Sequence, residues 1–368
     1  MLAPLTLLMD NGSLEPAATL ALRGLAARLS QRLGEPVEPV SLLHSSGIAA
    51  DLLGGRPAEI LLPALERRLR EGQNEFTLLP LFFGPSRALT EYLPENLARL
   101  KAKYPALRVR LAPPLHAAQD ERLARILADR VQAVLSSGAD RVALVDHGSP
   151  VAAVTAVRDE LARQLAGKLG SRVAAVAPCS MERRPEPGYD FNRPLLSDLL
   201  ATPPWNSGSV VVAMQFLLPG RHAGPEGDVA KICRQAETAH PGLRTQMTGL
   251  VGEHPLLLDI LADRWRAARL GGESLRRRGA ESAPYLTACA CSCGRSVAKL
   301  DSRTTSPMTT RAGCPARLEE SFSASPNTPM MIFCAGSVAS LTTASGMSAG
   351  MPWFSRLRAI SGSRRTPM

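Results

Sequence analysis

Aromatic side chains are scarce in this 368-residue chain, at 4% of the sequence, although basic residues outnumber acidic ones to give a formal charge of +10. That pairing argues against a nucleic-acid surface, because basic residues here are interleaved with acidic ones along the helical segments. A local arginine cluster meeting a small acidic molecule accounts for the charge equally well. Also missing is any apolar run of the roughly 18 residues that a membrane helix needs. Residues 1–9 are too short and too uncharged for a secretory signal. A cytoplasmic protein with neither a membrane nor a nucleic-acid partner is expected. The chain further lacks G-x-x-x-x-G-K-[ST] and G-x-G-x-x-G, so no phosphate loop and no dinucleotide turn is expected.

What is present is ordinary globular material, 45% hydrophobic and long enough for two domains. After Gly271-Gly272 the texture changes: leucine becomes rare, Ser, Thr, Met, Pro and Arg dominate, and five of the seven cysteines fall there. Residues 273–368 are expected to be a disordered tail, out of frame in one reading, that adds nothing to function. Cys289, Cys291 and Cys293 fit neither paired zinc knuckles nor ferredoxin spacing.

The remainder is a duplication. Leu8-Met9-Asp10-Asn11-Gly12-Ser13 matches Leu144-Val145-Asp146-His147-Gly148-Ser149 at an offset of 136, and Tyr104-Pro105-Ala106-Leu107-Arg108 matches His240-Pro241-Gly242-Leu243-Arg244 at the same offset. Ile126-Leu127-Ala128-Asp129-Arg130 returns as Ile260-Leu261-Ala262-Asp263-Arg264 at an offset of 134. Two copies of one α/β unit are therefore expected, residues 1–137 and 138–272. In each, strands alternate with helices. The first copy has strands at 5–9, 37–43, 76–83 and 107–111, with helices at 14–33, 57–71, 91–103 and 120–136. The second has strands at 142–145, 172–177, 209–216 and 244–248, with helices at 151–169, 226–238 and 255–269 and a polar insertion near 180–190. This alternation predicts two parallel-sheet, three-layer units with a cleft between their carboxyl edges.

Functional groups in such sheets collect at the carboxyl ends of strands. His147 stands there, and His222 follows another strand of the same copy in the loop Gly220-Arg221-His222-Ala223-Gly224. Neutral imidazole is both a common ligand for borderline divalent metals and a usable base near neutrality. At the 136 offset the first copy has Asn11 and Ser86 in their places, both poor ligands. One working site, in the second copy, is expected, with the first copy as a wall or lid. Taken singly, each histidine also reads as an ordinary satisfied loop residue.

These residues resemble the class II tetrapyrrole chelatases of the CbiX/SirB type, the sirohydrochlorin cobalto- and ferrochelatases. The resemblance rests on Leu144-Val145-Asp146-His147-Gly148-Ser149 and on Phe216-Leu217-Leu218-Pro219-Gly220-Arg221-His222. It extends over roughly residues 1–270, the first copy keeping Leu79-Pro80-Leu81-Phe82-Phe83 and Tyr92-Leu93-Pro94-Glu95 without the histidine. It implies a flavodoxin-like or Rossmann-like chelatase fold and ATP-independent insertion of Co²⁺ or Fe²⁺ into sirohydrochlorin, on the way to sirohaem or cobalamin. It further implies His147 and His222 as metal ligands and base, with no cofactor beyond the metal being inserted. Glu182 is the acid expected to help carry the dication, with Glu186 behind it. Arg183, Arg184, Arg193 and Arg221, with Arg87 in the matching loop of the first copy, are the residues expected to meet the carboxylates of the tetrapyrrole. A fused pair could supply both walls internally, so a monomer is expected. Two other readings stay open: a tetrapyrrole- or metal-binding protein without turnover, and a flavodoxin-like regulatory pair in which the histidines are incidental.

Overall fold

The computed structural model describes residues 3–135 and 141–277, with side chains as far as residue 270, all within one compact unit, Met1–Thr287. The cysteine-rich tail, including Cys289, Cys291 and Cys293, lies outside the described residues. Among the described residues no helix is long and apolar enough to cross a membrane.

The duplication is visible in the strands. In the first half β1 (Leu5–Asp10), β2 (Val37–Ser41), β3 (Glu75–Pro80) and β4 (Arg108–Leu111) form a wholly parallel sheet in the order β2-β1-β3-β4. The second half repeats it with β5 (Arg141–Asp146), β6 (Ala175–Ser180), β7 (Gly208–Met214) and β8 (Leu243–Met247), ordered β6-β5-β7-β8. Continuous apolar runs make these central strands, because a parallel sheet is covered on both faces. Leu7, Leu8 and Met9 of β1 and Val142 to Val145 of β5 are fully buried, each such side chain worth about 1.5–3 kcal/mol. In both sheets the chain reverses its winding direction at the first strand, leaving a crevice at the carboxyl ends of β1 and β3, and of β5 and β7.

The helices α1 (Pro16–Leu33), α2 (Leu61–Arg70), α3 (Leu93–Lys103) and α4 (Arg122–Gln132) belong to the first half. The second half has α5 (Ala152–Leu169), α6 (Leu196–Ala201), α7 (Asp228–Ala239) and α8 (Leu256–Arg277). Proline opens α1 and Gly34, in the left-handed conformation, closes it with its N–H on the Ser30 carbonyl.

One large core joins residues of α1, α4, α5 and α8 to the inner faces of both sheets. Two smaller cores lie on the outer faces, one shared with α2 and α3 and the other with α6 and α7. Within the central layer the last helices are exchanged. Helix α8 lies against α1, β3 and β4 of the first half, and α4 lies against α5 and β7 of the second. The exchange is fastened by polar contacts. Trp265 Nε1 donates to Thr6 Oγ1 (3.0 Å), and Arg264 donates to the Leu115 carbonyl (2.7 Å) and Asp120 (2.8 Å). Arg130 and Glu253 pair at 3.6 Å from the other side. The halves are thus interlocked, a feature that the expectation of two tandem units with a cleft between them did not contain.

Several boundaries differ from the sequence expectation. The helix expected from Pro57 starts at Leu61, because Ser41 takes the Glu59 carbonyl (2.8 Å) and bridges to Ile60, keeping that segment extended. The polar insertion holds a short 3₁₀ turn, Pro187–Asn192, a matching bridge from Ser180 to Leu195, and helix α6. It is the counterpart of the segment ahead of α2, too short and proline-rich to show a helical period. Helix α8 runs through Gly271-Gly272 to Arg277. Two glycines cost a helix roughly 2 kcal/mol of propensity without ending it.

Candidate functional site

The crevice of the second sheet is built from the turn after β5 and the loop after β7. Asp146, the last residue of β5, is buried, and its Oδ1 accepts from Gly148 N (3.1 Å) and Ser180 Oγ (2.6 Å). Gly148 sits at φ +91°, where a Cβ would collide with the Glu182 carbonyl, so only glycine fits this turn. Asn192 grips the next residue from both sides: Ser149 N donates to its Oδ1 and its Nδ2 donates to the Ser149 carbonyl, each at 2.9 Å. Behind them Arg158 is buried in α5, donating to Ser180 Oγ (2.6 Å) and the Asn192 carbonyl (3.0 Å), with Asp146 at 3.9 Å. Burial pushes the Asp146 carboxyl up, against the opposing pull of Ser180 and Arg158. This braced turn presents His147.

His222 arrives on the longer loop. Gly227 allows that loop to fold onto the start of α7, since a Cβ there would lie 2.7 Å from the His222 carbonyl. The two imidazoles meet edge to face, with ring centroids 4.7 Å apart and planes at 74°. His222 Nδ1 is 2.8 Å from Asp228 Oδ2, and His147 Nδ1 is 3.1 Å from the Gly148 carbonyl. A carboxylate or carbonyl can only accept, so in the neutral rings each Nδ1 carries the proton and each Nε2 keeps its lone pair. Glu182 Oε1 lies 3.5 Å from His147 Nε2.

Burial, and then the neighbouring His147, lower the pKa of His222 against the pull of Asp228 and Glu182. The ring is therefore neutral and able to ligate at neutral pH. Burial acts to raise Asp228, but hydrogen bonds from Lys231 and His222 outweigh it and hold the carboxyl below its usual range. No group of three His, Cys, Asp or Glu side chains among the described residues is already arranged as a metal cage. The imidazole pair has Glu182 beside it, on the His147 side.

The structure thus brings His147, His222 and Glu182 together. Glu186 makes no side-chain contact with either imidazole. The arginines expected to meet the tetrapyrrole are engaged with the protein. Arg183 donates to the Arg184 (2.7 Å), Pro185 and Glu186 carbonyls and pairs with Asp190, while Arg193 pairs with Asp190 and Asp198. Arg184 lies over the Tyr189 ring at 5.3 Å, Arg221 is 3.5 Å from Asp228, and Arg87 pairs with Glu91. Asp146, Ser180, Arg158, Asn192 and Asp228 were not picked out from the sequence. Asp146 stood in the duplicated motif without being given a role, and Asp228 fell inside the helix expected over 226–238.

Strand register also revises the comparison of the copies. Leu43 N donates to the Asn11 carbonyl as Glu182 N donates to that of His147, so the first half has Leu43 in place of Glu182. Likewise Leu81 N on Met9 O corresponds to Gln215 N on Val145 O. Counted from these points, His222 falls level with Ala88 rather than Ser86, and the second half has one residue more before α7 than the first has before α3. Asn11 does stand in place of His147. The walls are close: a Cβ at Gly220 would be 3.8 Å from Ser13 Oγ in the first half.

With this geometry in view, the CbiX family model matches residues 56–134 and 141–268, more than half of the chain. The chain belongs to the CbiX family, the class II chelatase type that its His-Gly-Ser turn resembles. No curated protein matches the sequence. Among solved structures, SirB from Bacillus subtilis with Fe³⁺ superposes with a TM-score of 0.57 at 16% identity, covering 74% of this chain and 98% of that one. The sirohydrochlorin chelatase SirB from Bacillus subtilis subspecies spizizenii in complex with cobalt gives 0.55 at 17% identity, with the same coverage. These likenesses establish the fold.

Proposed function

We propose that this protein inserts a divalent metal ion, Co²⁺ or Fe²⁺, into sirohydrochlorin without ATP, using the imidazole pair of the second half. The observation that carries this reading is that both Nδ1 atoms are spent on protein acceptors, which leaves the Nε2 lone pair of each ring for a ligand, on rings whose centroids are 4.7 Å apart. An imidazole whose other nitrogen bonds a carboxylate is an oriented, more basic ligand. The chemistry exchanges one dication for two pyrrole N–H protons. As the ion passes into the ring, each Nε2 it leaves regains its lone pair and can take one of those protons. Glu182 beside His147 offsets the charge during the exchange, and the lowered pKa of His222 favours return of its proton to water.

An open pair of ligands suits delivery, because a closed cage would retain the ion. The arginines need partner exchange to meet tetrapyrrole carboxylates. The ion pairs of Arg193, Arg221 and Arg87 are surface-type, worth roughly 0–1 kcal/mol each, and a bidentate carboxylate could replace them. Sirohaem and cobalamin synthesis are the two routes such a product would enter.

The test is a spectral assay of purified protein with sirohydrochlorin and Co²⁺ or Fe²⁺, under multiple and single turnover. His147→Ala and His222→Ala are each expected to lower the insertion rate by 10²-fold or more, the usual scale for a lost general base, with Glu182→Gln less severe. Rates equal to the uncatalysed reaction, or histidine variants that match the parent, would sink the proposal. Stoichiometric metal binding without turnover would favour a metallochaperone.

A further inference from the structure

Between α1 and β2 the first half contains a cavity of about 290 Å³, at the small end of the range for sites that take small molecules. No residue of the imidazole site lines it. Comparison of the two halves shows why it is there. Helices α1 and α5 are each 18 residues long and start equally far beyond Asp10 and Asp146, so Thr19 corresponds to Thr155 and Leu22 to Arg158. Ser41 N takes the Glu59 carbonyl and Ser41 bridges to Ile60, just as Ser180 N takes the Pro194 carbonyl and Ser180 bridges to Leu195. Three residues back from Ile60 and Leu195, Pro57 stands where the second half has Asn192. There Arg158 and Asn192 are both buried, Arg158 donates to the Asn192 carbonyl (3.0 Å), and Thr155 Oγ1 donates to Asn192 Oδ1 (3.1 Å). Leucine and proline supply no such groups in the first half.

Thr19 is left over. It lines the cavity, is 5% exposed, and its Oγ1 has no hydrogen-bond partner, although buried hydroxyls are normally paired. The charges of the wall are unbalanced in one direction. Its acids Glu38 and Glu59 are taken by Arg68 and Arg67. Arg23 donates only to the Leu53 (2.8 Å), Arg56 (2.5 Å) and Pro57 (3.1 Å) carbonyls, and pairs with no acid among the described residues. At the mouth Arg56 is exposed, and among the described residues its guanidinium has neither hydrogen bond nor ion pair. The two cations feel each other: burial, and then the charge of Arg56, lower the pKa of Arg23, which stays charged all the same. Two like charges beside a buried, unpartnered hydroxyl make a place that lacks an anion.

We infer that this cavity is a second binding site, for a small organic monoanion: a carboxylate carried on an apolar body. The carboxylate accepts from Arg56 and from Thr19 Oγ1 in the field of Arg23, a charge-assisted arrangement. The body lies on Leu22, Val40 and Pro57. Glu38 and Glu59, although paired, put two acids in the same wall and disfavour a dianion such as hydrogen phosphate.

Calorimetric titration of the full chain at pH 7.5 with hexanoate, benzoate, hexanamide and inorganic phosphate tests the site. Saturable binding of hexanoate or benzoate is expected, with hexanamide and phosphate at least tenfold weaker. Arg56→Gln, an exposed replacement that leaves the fold intact, should weaken carboxylate binding tenfold or more, the scale of one charge-assisted hydrogen bond. Thr19→Val should weaken it about fivefold, yet leave the melting temperature of the unliganded chain unchanged or higher, since the hydroxyl it removes has no partner. No saturable binding of either carboxylate would overturn the assignment. So would hexanamide matching hexanoate, phosphate binding more tightly than both carboxylates, or unaltered affinity in Arg56→Gln. A destabilised Thr19→Val that binds the carboxylate as the parent does would overturn it as well.

Discussion

At the scale of single residues the site is decided by where two protons sit. Asp228 fixes the proton of His222 on Nδ1, so Asp228→Asn leaves the shape and removes the charge that enforces that tautomer. Metal affinity is expected to fall 10–100-fold, measured by competition with a chromogenic chelator. Arg158 braces the other imidazole from behind. Replacing it by methionine strands Asp146 in a buried site, and a loss of about 3–5 kcal/mol is expected on denaturant unfolding. Asp146→Asn in the same chain should restore much of it. Asp10 lacks such an arginine, and burial pushes its pKa up from 3.8 to about 6. A carboxyl whose folded pKa is raised contributes stability that is complete below pH 3.8 and lost as pH rises through about 6. The ionised form costs roughly 3 kcal/mol at neutral pH. Asp10→Asn should accordingly raise the melting temperature at pH 8, with the advantage shrinking at pH 4. His147 was legible in the sequence because a strand end is a position, and Glu182 because it follows another. Asp228, Arg158 and Asn192 act through three-dimensional packing, and a single chain gives no sign of which loop charge or helical arginine is turned inward.

At the scale of elements, the central strands were legible because both faces are buried and nothing in their sequence alternates. Edges were harder. Strand β4, with its RVRL pattern, is short and largely exposed, and only the repeat of its flanks marked it. The exchange of α4 and α8 was hidden altogether. Each has an apolar face that would satisfy either sheet, and the choice is made by Trp265 on Thr6 and Arg264 on Asp120. A chain ending before α8 is expected to lose the first half as well as the second, seen as loss of cooperative unfolding followed by circular dichroism. If α8 served only its own half, β1–β4 would keep their protection from hydrogen exchange. A chain ending after Arg277 should keep the full fold.

At the scale of the molecule, two copies of one plan have diverged at their strand ends. The second has His147, His222 and Glu182; the first keeps the Asp-x-Gly-Ser turn with Asn11 and Leu43 where the second has His147 and Glu182. Its turn still stands close to the loop of His222 through Ser13 and Gly220. With both walls in one chain, a monomer is expected by light scattering, and a concentration-independent mass would agree. The doubling was readable from three short matches at nearly constant spacing. The loop lengths between them were not, which is why Ser86 was matched to His222.

Interlocking has a further consequence for how the proposed substrate, a flat macrocycle, would get in and out. Helices that each cross to the opposite sheet act like stitches through a seam, and the seam cannot be parted by swinging one half away. A jaw-like opening would have to tear Trp265 from Thr6 and expose a core shared by both sheets. Passage of the proposed substrate is therefore expected at the rim, at residues 183–190 and 219–222, where the exposed arginines Arg184 and Arg221 make contacts that can be remade one at a time.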